Sequence, residues 1–366
     1  MRLMKTPKSL DLNITTKCNL RCSYCSHFSS AGDIETDLST EEWLQFFEEL
    51  KECSVLDVCL SGGEPLSRND IKELIDGIVA NRMRFSMLSN GILMNDDILD
   101  FIKSTGRCNS IQVSIDGPGP ASHDIHRGKG SFEKALRGLK LLQKYKLPAT
   151  TRVTIHKQNY KDLDAVAELL LEDVGLPSFS TNSASHLGLC KQNSDETQLN
   201  ADEYSYVIAK LFELNKKYNG RIGAQAGPLA SGKHWKEMEE TIKAGKKETS
   251  GCGYLRSCGG VFSKMAVRAD GTMIPCSQIP HIELGKINRD SLKKVWIEHP
   301  ELKRLRDRRD MPLKSFDFCS DCNYTAYCRG GCPALAYTLT GNENEPSPDS
   351  CYRTFLEAGG KLPGNQ

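Results

Sequence analysis

The residues with most to offer chemically in this 366-residue chain are its fifteen cysteines. Three of them stand in the run Thr16-Lys17-Cys18-Asn19-Leu20-Arg21-Cys22-Ser23-Tyr24-Cys25, separated by three and then two residues. A four-iron cubane takes four ligands, so three thiolates leave one iron open to an exogenous molecule. That makes the loop a reactive site; the competing reading is a zinc ion completed by His27 or by a distant ligand. A second field holds Cys252, Cys258, Cys276, Cys319, Cys322, Cys328, Cys332 and Cys351. The spacings Cys319-x2-Cys322 and Cys328-x3-Cys332 suit a tetrahedral structural zinc. Yet eight thiols also fill two four-ligand cluster sites, and the eleven of both fields are one short of three cubanes. Cysteine content is far below the roughly 8 to 10% of a disulfide scaffold, and a chain this long folds without such staples. Metal binding or thiol chemistry is therefore the expected use.

Further candidates follow the cysteine loop at strand ends. Ser61-Gly62-Gly63-Glu64-Pro65 combines paired glycines, which let a backbone approach closely, with a carboxylate; the same string is also a good turn. Ser89-Asn90-Gly91 and Ser114-Ile115-Asp116-Gly117-Pro118 follow later runs and read equally as turns. What unites them is the framework. Short β-branched or apolar runs at Leu10 to Thr15, Val55 to Leu60, Arg84 to Ser89, Ser110 to Ile115, Thr150 to Ile155 and Ser178 to Asn182 alternate with amphipathic segments, the pattern of βα units on a parallel sheet. Ile71, Leu74, Ile75, Ile78 and Val79 share one helical face, as do Tyr204, Val207, Ile208, Leu211 and Phe212. Ser39 with Glu42 and Asn200 with Glu203 form capping-box signatures. In such a sheet the carboxyl ends of all strands open on one mouth, so the four loops face one pocket.

The balance of the chain excludes several classes. Forty-eight basic against forty-seven acidic residues give a net charge of +1, which recruits neither nucleic acid nor an anionic membrane surface. No apolar run approaches a membrane span, and a cytoplasmic protein is expected. The alternation fades from Gly220, where Gly, Lys and Glu accumulate through Lys247. Lys264 to Cys276 reads as a hairpin turning at Asp270-Gly271. The expected division is 1–220 for the barrel, 221–250 for a connecting segment, 251–355 for a cysteine-rich domain and 356–366 for a tail.

From Leu10 to Asn182 the sequence resembles the radical S-adenosylmethionine (SAM) enzymes, on the strength of the C-x3-C-x-aromatic-C loop and the Gly-Gly-Glu at the second strand end. The resemblance implies an α/β fold, a partial (β/α)6 barrel of radical SAM type. It also implies that Cys18, Cys22 and Cys25 hold a 4Fe-4S cluster whose fourth iron is chelated by SAM. One-electron cleavage then gives a 5′-deoxyadenosyl radical that abstracts a substrate hydrogen. By the same resemblance Tyr24 lies beside the adenine, Gly62, Gly63 and Glu64 surround the methionine amino group, and Ser114 and Arg127 contact ribose and carboxylate. The plain alternative for Arg127 is a solvated surface arginine.

The spacing Cys258-x12-Gly271-x4-Cys276, then Cys-x2-Cys-x5-Cys-x3-Cys and a final Cys351, resembles the C-terminal Cys-rich SPASM domain of radical SAM maturases. That resemblance implies three 4Fe-4S clusters in all. Cys252, Cys258, Cys276 and Cys332 would hold one auxiliary cluster and Cys319, Cys322, Cys328 and Cys351 the other. Fully ligated, both would serve as one-electron relays. Cys53, Cys59, Cys108 and Cys190 are expected as buried fillers, although Cys190, just beyond the sixth strand, is also placed to face the pocket as a hydrogen donor.

The group mostly modifies ribosomally made peptides, so the resemblance implies a peptide or small-protein substrate that is oxidised or crosslinked, with a flavodoxin- or ferredoxin-like reductant. Sulfatase maturases place an aspartate base after the cysteine corresponding to Cys276. Here Ser277 stands there and cannot act as that base, which disfavours that role. Seventeen residues precede Cys18, so leader recognition is expected to need a separate leader-binding protein or the segment Gly220 to Lys247. The rival enzyme class is a radical SAM oxidase or decarboxylase of a small molecule such as a tetrapyrrole side chain. An iron-sulfur electron carrier and a zinc-stabilised binding protein are the non-enzyme alternatives, and neither cleaves SAM.

Overall fold

The computed structural model describes residues 3–28, 36–256 and 258–364. Its spine is one ten-stranded sheet. Seven strands run parallel in chain order: β1 (Ser9–Thr15), β2 (Asp57–Gly62), β3 (Arg84–Ser89), β4 (Cys108–Ser114), β5 (Ala149–Ile155), β6 (Phe179–Ser183) and β7 (Ile222–Ala224). The strands β8 (Lys264–Val267), β9 (Thr272–Ile274) and β10 (Gly285–Lys286) extend the sheet beyond β1. Because β7 never returns to β1, the barrel stays open. All six expected strands are present, each within two residues of its expected ends.

Packing follows the two periodicities. In β1, Leu10, Leu12 and Ile14 are fully buried on one face, while Asp11 and Asn13 point to the other. Helix α1 (Thr40–Glu52) starts at the Ser39–Glu42 capping box. It buries Trp43, Phe46, Phe47 and Leu50 in the same core as those β1 residues, the spacing of one helical stripe. Helices α2 (Ile71–Ala80), α3 (Asp96–Thr105), α4 (Pro120–Arg127), α5 (Ser131–Lys144) and α6 (Leu163–Glu168) fill the next crossovers. The second capping box opens helix Ala201–Lys217 as expected.

Two features depart from the sequence reading. The segment expected to connect two domains contains β7 and helix Pro228–Lys243; that helix buries Leu229, Trp235 and Met238 against its neighbours. The C-terminal hairpin does not stand apart either. β8 pairs in parallel with β1, Ser9 opposite Lys264 and Leu12 opposite Val267, and Met265, Val267 and Met273 belong to the core that contains Leu10. An edge strand with alternating apolar residues is covered in this way. No helix among the described residues is long and apolar enough to cross a membrane.

Candidate active site

The first cysteine loop leaves β1 under tight local control. The Asp37 carboxylate accepts from Thr15 Oγ1 at 2.5 Å and from Thr16 N at 2.8 Å. On the far side, Leu189 N donates to the carbonyls of Cys25 at 2.9 Å and Phe28 at 2.7 Å. Ser23 Oγ shares a 2.6 Å hydrogen bond with His126 Nδ1, and Asn193 Nδ2 donates to Ser23 O at 2.8 Å. Side chains from α4 and from the segment after β6 thus anchor the loop, so the three thiols do not depend on the loop's own stiffness. Burial pushes the Cys22 thiol up to about 12 against the opposing pull of Arg127, and burial raises Cys18 as well. Without metal these thiols are protonated at neutral pH, and ligation releases their protons.

The paired glycines have a structural duty. Gly63 N donates to Thr15 O and Glu64 N to Lys17 O, both at 2.8 Å. A Cβ on Gly63 would lie 2.2 Å from Lys17 O, and one on Gly62, at φ +118°, 2.3 Å from Thr15 O. Only glycines let the end of β2 touch the cysteine loop this closely. Glu64 is buried and engaged: Oε1 accepts from Ser89 Oγ at 2.8 Å and Oε2 from Asn90 N at 2.7 Å. Asn90 Nδ2 in turn donates to Asn19 Oδ1 at 2.7 Å, so the turn after β3 is stitched to the loop after β1.

These pieces enclose a cavity of about 170 Å³. Cys18, Cys22, Cys25, Gly62, Gly63, Glu64, Ser114 and Arg127 all line it, with Ser89 and Asn90. Arg127 is thus no solvated surface residue: it is buried and pairs through Nε with Asp116 at 2.5 Å. Tyr24 is absent from the wall. Its hydroxyl donates to Asp116, its ring stacks on His156 at 5.6 Å, and the Arg127 guanidinium lies 5.4 Å from the ring centroid. Asp116 is the residue that sequence reasoning passed over. It accepts from Tyr24, Arg127 and Thr154 N. Burial alone would raise its pKa, but Arg127 overrides that and holds the carboxyl at about 2. The available signal was its place at the end of β4, where it passed for a turn aspartate. Cys190 is buried against Thr197 and Gln198, at 3.4 and 3.3 Å, and is not on the cavity wall.

The second cysteine field sorts into two groups. Cys319 is acted on electrostatically by Cys328, Cys351 and Cys322, which are therefore together. Cys276 is acted on by Cys258 and Cys332. Cys252 is buried, and the adjacent Gly253 N donates to Cys328 O at 2.9 Å, on the other group's loop. None of the cysteines is in a disulfide. No three His, Cys, Asp or Glu side chains among the described residues close to the spacing of a single metal ion.

Residues 12–170 match the model of the radical SAM superfamily, and residues 258–323 match that of the SPASM iron-sulfur cluster-binding domain. The chain is a radical SAM protein with a SPASM domain. It is an enzyme whose cofactors are S-adenosylmethionine and iron-sulfur clusters. This radical SAM protein is 27% identical to an AdoMet-dependent heme synthase of Methanosarcina barkeri (strain Fusaro / DSM 804), over 96% of this chain and 98% of that one. It is 24% identical to a PqqA peptide cyclase of Rhizobium meliloti (strain 1021), over 96% of this chain and 88% of that one. The structure of Streptococcus suis SuiB bound to precursor peptide SuiA aligns with a TM-score of 0.71 at 14% identity, over 96% of this chain and 77% of that one. That likeness establishes a shared fold. The donor sets of the radical SAM protein fit its cofactors: a wall of three thiols around a cavity, and two further thiol groups. Beside one of those groups lies a buried guanidinium with three unpartnered nitrogens.

Proposed function

We propose that this enzyme abstracts a hydrogen atom from a side chain of a ribosomally made peptide and oxidises or crosslinks it. Cys18, Cys22 and Cys25 would hold the catalytic cluster, with SAM bound against Gly62, Gly63, Glu64, Ser114 and Arg127. When bound, these groups supply one-electron SAM cleavage and the hydrogen-abstracting radical. The chain's own part is to anchor the cysteine loop through Asp37, His126 and Leu189, and to keep Arg127 charged and aimed by Asp116.

An open groove carries the peptide reading. Apart from the 170 Å³ pocket, which the cluster and SAM would fill, a second cavity of about 200 Å³ opens between the end of β6 and the C-terminal segment, lined among others by His186, Tyr204, Trp235, Asp349 and Phe355. Helices Ala201–Lys217 and Pro228–Lys243 also form an open groove of about 830 Å³, lined by Lys216, Lys233 and Lys236 with Glu213 and Glu237. It includes part of the segment expected to dock a leader. The PqqA cyclase relative and the peptide-bound SuiB add support.

The heme synthase relative, matched over nearly its whole length, favours a second reading, oxidation or decarboxylation of a tetrapyrrole side chain. Anaerobic incubation with SAM, dithionite and a short peptide encoded beside this gene, followed by mass spectrometry, separates the two. The peptide should lose two hydrogens and 5′-deoxyadenosine should form, both abolished by Cys22→Ala. An unchanged peptide alongside carbon dioxide loss from an iron-coproporphyrin supplied in parallel would overturn the peptide reading.

A further inference from the structure

Arg308 stands in the single 3-10 turn that follows helix Pro300–Asp307. It is fully buried, and none of Nε, Nη1 and Nη2 has a hydrogen-bond partner. A buried guanidinium with no partner is among the most unfavourable arrangements a folded chain can hold, so its surroundings should supply something these atoms are meant to meet. The groups that act on it are Cys332, Glu343, Arg304 and Cys258. Glu343 is already committed, to His281 Nε2 at 2.5 Å and to Arg304 Nη2 at 3.1 Å. Arg304 only adds like charge. The remaining neighbours are two thiols from separate elements: Cys332, which caps helix Pro333–Thr340, and Cys258, just before helix Gly260–Ser263. That short helix packs against helix Pro300–Asp307, and Arg306 Nε donates to Val261 O at 2.8 Å. Arg308 is thereby held at the same thiol group. Burial lowers its pKa to about 10, which leaves it charged at neutral pH.

We propose that Arg308 is a positioning residue for the auxiliary cluster held by Cys258, Cys276 and Cys332, its buried positive charge and free N–H groups serving the sulfurs of that cluster. The proposal rests on the assignment of these cysteines to a cluster. Iron-sulfur potentials follow net charge and hydrogen bonds to sulfur, so a cation here stabilises the reduced, more negative state and raises the potential. The other thiol group has an arginine of its own nearby, Arg353, but that one is already paired with Asp321.

The test uses the full-length protein, reconstituted anaerobically, with Arg308→Gln, Arg308→Lys and Cys258→Ala. Loss of about four irons and of one paramagnetic signal in Cys258→Ala establishes the cluster independently; full iron retention there would refute the assignment instead. Given that loss, Arg308→Gln should shift the midpoint potential of that same signal to more negative values, with Arg308→Lys partly restoring it. The signals of the other two centres should not move. In metal-free protein, Arg308→Gln should raise the urea midpoint, since it removes an uncompensated buried charge, whereas a purely structural arginine would lower it. An unshifted potential in both arginine variants, or a lowered metal-free urea midpoint in Arg308→Gln, overturns the proposal.

Discussion

At the scale of single residues, the site depends on a carboxylate that stands behind the cavity wall rather than on it. Asp116 binds Arg127 and Tyr24 on one side and the β5 backbone at Thr154 on the other. Asp116→Asn should destabilise the metal-free protein by about 3 to 5 kcal/mol, the usual consequence of removing one partner of a buried pair, as read by urea unfolding. The acid limb should change as well. A carboxyl held at about 2 in the folded chain is matched by one near 3.9 when unfolded, so the unfolded state binds the proton first. That stability is complete above about pH 4 and is lost as pH falls toward 2. Burial lowers His123 and His156 to about 4 from 6.5, and their contribution is lost over the window from 6.5 down to 4. The parent should therefore weaken from pH 6.5 downward. Asp116→Asn should lose the part below about pH 4 and, because the Asp116 charge favours the protonated form of both histidines, steepen the part above it; an identical profile for the two proteins would contradict this account.

At the scale of elements, the strands that carry the site were legible because each is a β-branched or apolar run followed by turn residues, and both capping boxes appeared as read. β7 was not legible: Ile222, Gly223 and Ala224 offer one strong strand former among three residues. Helix Pro228–Lys243 hid in a Lys- and Glu-rich stretch because its buried face rests mainly on Leu229, Trp235 and Met238. Seven of the eight cysteines of the second field lie in two groups of neighbours, Cys258, Cys276 and Cys332 and Cys319, Cys322, Cys328 and Cys351; Cys252 precedes them, in the stretch after helix Pro228–Lys243. The glycines were read for their reach toward a ligand, whereas their close contacts are with Thr15 and Lys17. Gly63→Ala should accordingly displace the cysteine loop, lower stability by about 1 to 3 kcal/mol as for other overpacked sites, and reduce iron uptake at Cys18, Cys22 and Cys25. Normal iron content with an unchanged urea midpoint would show that this contact yields.

At the scale of the whole molecule, the two family regions share one sheet and one core, because β8 continues from β1 and Met265, Val267 and Met273 pack with Leu10. No local signal announces such a pairing, since it joins residues some 250 positions apart. A chain cut after residue 250 would bare the β1 edge, and unpaired edges associate. It should elute from gel filtration as aggregate, where a monodisperse barrel of the expected size would show that the regions fold separately.

The β1 strand has one more implication. The loop of Cys18 leaves it at Thr15, while β9 returns Cys276 toward the other end, near enough for Asp11 to act on its thiol. Four residue steps of β1 separate Asp11 from Thr15, about 13 Å at roughly 3.3 Å each. The backbone of one strand thus ties the loop of Cys18 to the neighbourhood of Cys276. Side-chain replacements can retune either terminus, but the span of the crossing stays fixed by a residue count.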